Sequence, residues 1–83
     1  MADDGALAGM VAALARGLVD NPDQVEVSEG SGGRDGRVIS LAVADEDLGQ
    51  VIGRGGRVAR ALRTVLRAAA TARGERVSLE ILD

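Results

Sequence analysis

The 83-residue sequence contains no cysteine, histidine, lysine, phenylalanine, tyrosine or tryptophan. Each absence removes a class of chemistry. Without Cys there is no disulfide and no thiolate nucleophile or metal ligand. Without His there is no imidazole base and no commonplace metal donor. Without Lys there is no Schiff base and no phosphate-loop lysine. No Ser-His, Cys-His or zinc arrangement can be assembled, so most enzyme mechanisms are excluded before any motif is read, and no cofactor or metal is expected. The lack of aromatics rules out stacking of bases on exposed rings. There is a single proline, Pro22. No apolar run approaches the ~18 residues of a membrane helix, so no membrane association is expected. The opening Met1-Ala2-Asp3-Asp4 is acidic, unlike the basic start of a signal peptide. A cytoplasmic location is the expectation.

What is present is unevenly distributed. The net charge is -3, yet residues 1–51 carry three Arg against ten acids, whereas residues 52–73 carry six Arg and no acid. The basic residues of that stretch are Arg54, Arg57, Arg60, Arg63, Arg67 and Arg73. An acidic chain with one basic, glycine-containing stretch has a localised anion-binding surface.

Periodicity orders the elements. Leu7, Met10, Val11, Leu14 and Leu18 form one apolar stripe and predict a helix over about 5–19, with Asp3 and Asp4 favourably placed ahead of it. Asp20-Asn21-Pro22 ends it. Val25 and Val27 alternate with polar residues as a strand, and Gly30–Gly36 reads as a flexible connection closing on an Asp35-Gly36 turn. Ile39, Leu41 and Val43 give a second strand. The acids Asp45-Glu46-Asp47 then read as the start of a short helix carrying Leu48, Val51 and Ile52. They lack the spacing and distal Glu of a calcium loop. A longer helix follows from about Arg57 to Arg73, with Val58, Leu62, Val65, Leu66 and Ala69 on its buried side and Arg60, Arg63 and Arg67 on its exposed side. Gly74 stops it, and Val77, Leu79 and Ile81 form a last strand.

The order α-β-β-α-α-β predicts a two-layer α/β fold: one domain over residues 1–83, with a core of about 5–82, in which the helices cover a three-stranded sheet. The expected interior is Leu7, Met10, Leu14, Leu18, Val25, Val27, Ile39, Leu41, Val43, Leu48, Val51, Ile52, Leu62, Val65, Leu66, Val77, Leu79 and Ile81. At about 1.5–3 kcal/mol per fully buried aliphatic side chain, these residues suffice for a small fold.

Gly53-Arg54-Gly55-Gly56 lies between the second and third helices. A dinucleotide fingerprint would need a preceding strand and a small residue where Val58 stands; a Walker loop would need lysine. What remains is a helix–G-x-x-G–helix turn. Its glycines permit close backbone approach, the following helix start favours phosphate, and Arg54 and Arg57 add charge-assisted contacts.

Val51-Ile52-Gly53-Arg54-Gly55-Gly56-Arg57 resembles the V-I-G-x-x-G signature of the KH domain, and the helix and strand ahead of it resemble the type II arrangement. With Val19-Asp20-Asn21-Pro22, Ala61-Leu62-Arg63-Thr64 and Leu79-Glu80-Ile81-Leu82-Asp83, nearly the whole chain is similar to the small stand-alone bacterial KH proteins of the KhpA (YlqC) family. The resemblance implies a mixed three-stranded sheet with three helices on one face, and a groove for about four nucleotides of single-stranded RNA, with DNA also possible. It assigns phosphate contact to Gly53, Arg54, Gly55 and Gly56, and a base-groove floor to Val51, Ile52 and the second-strand aliphatics; the charge pattern adds Arg57 and Arg60 of the basic helix to the expected RNA-binding set. It further implies an RNA chaperone or post-transcriptional regulator, a partner of the KhpB/Jag type, a possible homodimer, and a role in cell elongation and envelope homeostasis. Two positions depart from the pattern: Ala59 stands where a larger aliphatic is usual, which predicts looser packing behind the loop, and Gly55 makes the turn more flexible.

A second reading is a non-catalytic subunit whose Arg-rich helix face binds an acidic protein. A phosphate-ester enzyme would need a general base, and no Asp or Glu adjoins the glycine turn.

Overall fold

The computed structural model describes residues 5–31 and 36–82. Within them the chain forms α1 (Ala6–Leu18), β1 (Glu26–Ser31), β2 (Arg37–Ala42), α2 (Leu48–Ile52), α3 (Arg57–Ala72) and β3 (Val77–Ile81). Single 3-10 turns at Pro22–Gln24, Asp45–Asp47 and Arg54–Gly56 join them. The α-β-β-α-α-β order and helix boundaries agree with the periodicity. Asp3 and Asp4, and most of the predicted turn ending in Asp35-Gly36, lie outside the described residues.

β1 runs farther than its valines suggest. Gly30 and Ser31, read above as the start of a flexible connection, instead pair with Val38 and Arg37 of β2. The partner strand supplies the register, and the Arg37 guanidinium bonds Glu29 at 3.1 Å across the pair.

The sheet order is β1-β2-β3. β1 lies antiparallel to β2, with Val27 opposite Leu41, and β2 lies parallel to β3, with Ile39 opposite Leu79. Parallel neighbours require a crossover, and α2, the glycine turn and α3 supply it. The turn is therefore built into the connection between the central strand and β3. α3 ends in a Schellman arrangement: Gly74 has φ 72, its N–H bonds the Thr71 carbonyl, and the Glu75 N–H bonds that of Ala70.

The interior lies between the helices and the sheet face bearing Ile39, Leu41 and Leu79. It differs from the expected list in one consistent way. Leu14, Leu18, Ile52 and Val65 are exposed, and Met10, Val27, Val43, Leu48, Val77 and Ile81 are half-buried. Ala12, Ala15, Ala44, Ala59 and Ala70 are buried instead. Ala12 and Ala15 of α1 and Ala59 and Ala70 of α3 share the inward face with Leu7, Val11, Leu62 and Leu66, which leaves Leu14, Leu18 and Val65 on the outer flank. Ala59, where looser packing was expected, is 4% exposed.

Candidate nucleic-acid interface

The glycine turn owes its shape to three left-handed glycines. Gly53 has φ 77 and ψ 168, Gly55 φ 65 and ψ 17, and Gly56 φ 80 and ψ 14. Gly53 is in a region essentially reserved for glycine. A Cβ there would also lie 2.7 Å from the Val58 backbone nitrogen. Its N–H closes α2 on the Gly49 carbonyl at 2.8 Å, and its own carbonyl accepts the Gly56 N–H at 3.1 Å. Gly55 is different: a Cβ there meets nothing within 4 Å. Gly53 therefore fixes the turn, and Gly55 is its open tip.

The charged groups around this tip are arranged from α3. Arg54 and Arg57 are exposed on either side of Gly55-Gly56. Arg60, one turn into α3, donates from Nη2 to the Gly55 carbonyl at 3.2 Å. This bond braces the turn through its backbone and holds the Arg60 guanidinium beside the tip. Arg63, a further turn along, donates from Nε to the Leu79 carbonyl of β3 at 3.5 Å. The basic side of α3 thus faces β3 while leading away from the turn.

The predicted site residues separate into two groups. Gly53, Arg54, Gly55, Gly56, Arg57 and Arg60 come together at the turn. Val51 is fully buried, as are Ile39 and Leu41 of β2, so these support the site from beneath and present no surface. Ile52 is the exposed aliphatic at the end of α2. The correction has a simple cause. On a five-residue helix only one side faces the core, and Val51 and Ile52 are adjacent residues that point apart.

One residue supporting the site was given another role by the sequence. Asp47 does not cap α2 through its side chain. It is 1% exposed, and its carboxylate accepts the backbone N–H of Asp20 at 3.3 Å and that of Asn21 at 3.0 Å. The Asn21 side-chain amide donates to it as well. No local pattern signals this role, because the N–H groups that Asp47 accepts lie 26 and 27 residues away in sequence.

Residues 8–81 of the chain match a family model described as KhpA/KhpB, KH domain. The chain belongs to that family. Among curated relatives, the RNA-binding protein KhpA of Streptomyces coelicolor is 53% identical over 84% of this chain and 86% of its own length. That of Aquifex aeolicus is 50% identical over 94% and 98%, and that of Caldanaerobacter subterraneus subsp. tengcongensis 49% over 88% and 96%. The names of all three describe RNA binding. Among solved structures, a GDP-bound variant of Era from Aquifex aeolicus superposes on 90% of this chain and 29% of that one, with a TM-score of 0.63 at 21% identity. That likeness concerns the fold alone, a KH arrangement of three helices on a mixed three-stranded sheet.

Proposed function

We propose that the chain binds single-stranded RNA, with the Gly53–Gly56 turn clamping the backbone and Arg54, Arg57 and Arg60 meeting its phosphates. The observation that carries this reading is the pairing of a side-chain-free tip at Gly55 with two exposed arginines at the start of α3. Relatives named RNA-binding proteins cover nearly the whole chain at about half identity, which supports the same reading. Ile52, with no aromatic anywhere in the chain, leaves bases to be held by aliphatic contact and hydrogen bonds. Single-stranded DNA fits the same groove chemistry, and competition between the two strands distinguishes them. Ultraviolet crosslinking to RNA in lysate, with and without ribonuclease, tests the proposal. Associations that all survive ribonuclease favour instead the acidic-protein partner of α3.

A specific surface supports a paired state. Leu14 and Leu18 of α1 and Val58, Ala61, Leu62 and Val65 of α3 line an open groove of about 240 Å³, almost wholly apolar. Val65 is 46% exposed and Leu14 and Leu18 are 38% exposed, and together they form one contiguous apolar patch. Pairing through this groove, with a second copy or with a KhpB/Jag-type KH protein, joins two weak RNA sites into one stronger binder. The biological reading that goes with it is a cytoplasmic RNA chaperone or post-transcriptional regulator serving cell elongation and envelope homeostasis.

A further inference from the structure

A basic stripe continues past the glycine turn. Arg57, Arg60, Arg63, Arg67 and Thr71 follow one another at three- and four-residue steps, so they share one side of α3. At 1.5 Å per residue the stripe is about 21 Å long. Its first part carries the turn-bracing Arg60 and the β3-directed Arg63. Its far end opens into a cleft of about 460 Å³ between the last turns of α3 and the start of β3. Arg67, Thr71, Arg76 and Ser78 line the cleft, with Ala70 at its base and Glu75 as its one acid. That acid is already engaged: its two carboxylate oxygens accept bonds from Arg37 and Arg73 respectively. The cleft therefore offers the Arg67 guanidinium and hydroxyl donors, while its carboxylate is engaged by two arginines.

We infer that this cleft is a second backbone-binding subsite for the same RNA strand, in which Arg67 holds a phosphate several nucleotides beyond the turn. The inference rests on the reading of the turn as an RNA clamp. At the ~3.4 Å spacing of one strand of a stacked duplex the stripe from Arg57 to Thr71 spans at most about six nucleotides, and fewer of a more extended single strand. The KH groove proper holds about four. Arg63 lies between the two sites, its guanidinium held beside the β3 backbone at Leu79, where it keeps the path positive without a gap.

The test is fluorescence anisotropy with labelled random-sequence RNA of 4 and 10 nucleotides, on the full chain, with melts followed by circular dichroism. Arg67→Gln should lower affinity for the 10-mer about three- to fivefold, as for one exposed charge contact. It should also make the salt slope on the 10-mer shallower by about 0.7. Affinity for the 4-mer and the melt should not change. Equal effects of Arg67→Gln on both lengths, no effect on either, or a wild-type chain that binds the 10-mer no better than the 4-mer overturns the subsite. The Arg54→Asp/Gly55→Asp variant separates this from the turn itself. If that variant still binds the 4-mer as the wild type does, the clamp reading fails, and the second subsite fails with it.

Discussion

The carboxylate of Asp47 accepts two hydrogen bonds from Asn21, one from its backbone N–H and one from its side-chain amide, both at 3.0 Å. The two residues are 26 positions apart. Asn21 follows α1, whose last turns line the apolar groove; Asp47 immediately precedes α2, which runs into the glycine turn. A buried carboxylate is costly unless its oxygens are satisfied, and here N–H groups from one short segment satisfy both. The bond set ties the end of α1 to the entry of the candidate RNA site.

Asp47→Ala removes the acceptor from these part-buried N–H groups and empties a fully buried side-chain position. The expected cost is roughly 2–4 kcal/mol. At about 4–8 °C per kcal/mol in a domain of this size, the melting temperature falls by about 8 °C or more. Asn21→Ala removes only the side-chain amide and should cost about 1 kcal/mol. Circular dichroism melts of both variants measure the difference. Equal losses would show that the backbone N–H groups contribute nothing.

Much of this fold was legible in the sequence because its alternations are regular. Ile39 and Leu41, Val77, Leu79 and Ile81, and the α3 stripe each repeat at the period of the element they form. The glycine turn was legible because two phosphate-loop alternatives failed on named residues, Val58 and the missing lysine. Three features were not legible. Periodicity scores Leu14 and Val65 as interior, and it cannot see that Ala15 and Ala70 take the inward face and leave those larger side chains on the outer flank. The strand character of Gly30 and Ser31 comes from β2, not from their own propensity. The role of Asp47 depends on a partner 26 residues away, which no local pattern contains.

The glycines of the turn should respond differently to substitution. Gly53→Ala places a methyl against the Val58 backbone and side chain at a φ of 77, so it should both destabilise the chain and distort the turn. Gly55→Asn adds a side chain into open space at a left-handed φ that Asn tolerates. Its melt should lie close to the wild type, within about 1 kcal/mol. A Gly53→Ala melt as high as that of Gly55→Asn contradicts the geometry given for Gly53.

Salt dependence measures how many phosphates are met. With Arg54, Arg57 and Arg60 each neutralising one, log affinity for a 4-mer should fall against log salt with a slope near −2, at ~0.7 per phosphate on single strands. Titrations across a range of potassium chloride concentrations provide the slope. A slope near zero excludes the start of α3 as the phosphate surface.

The apolar groove predicts a concentration-dependent mass. The chain is 8.5 kDa, and sedimentation of the wild type at tens of micromolar should show about twice that. Val65→Asp puts a carboxylate into the groove at an exposed position, so the core is untouched. It should return the chain to its monomer mass with little change in its melt, and weaken RNA binding through lost avidity. A wild type that sediments as a monomer leaves the groove without self-pairing, and pull-down with a KhpB/Jag-type protein then decides whether it serves that partner.

The turn itself is tested by Arg54→Asp with Gly55→Asp. Both positions are exposed, and neither carries a core contact. Asp accepts the left-handed backbone at Gly55 better than most residues, and the space around its Cβ is open. The fold should therefore survive, with a melt shifted by no more than about 1 kcal/mol in stability. Binding should not. Two carboxylates would project toward the phosphates, where the exposed Arg57 and the N-terminal end of α3 otherwise favour an anion. One attractive charge is deleted in the same step. Arg60 retains its bond to the Gly55 carbonyl, since that bond uses the backbone alone, so the turn keeps its brace and the loss reports charge, not shape. The measurement is anisotropy on a 4-mer RNA beside a circular dichroism melt, which needs no aromatic reporter. Affinity that falls at least tenfold with the melt retained places the phosphates at the turn; unchanged affinity with an unchanged melt removes them from it.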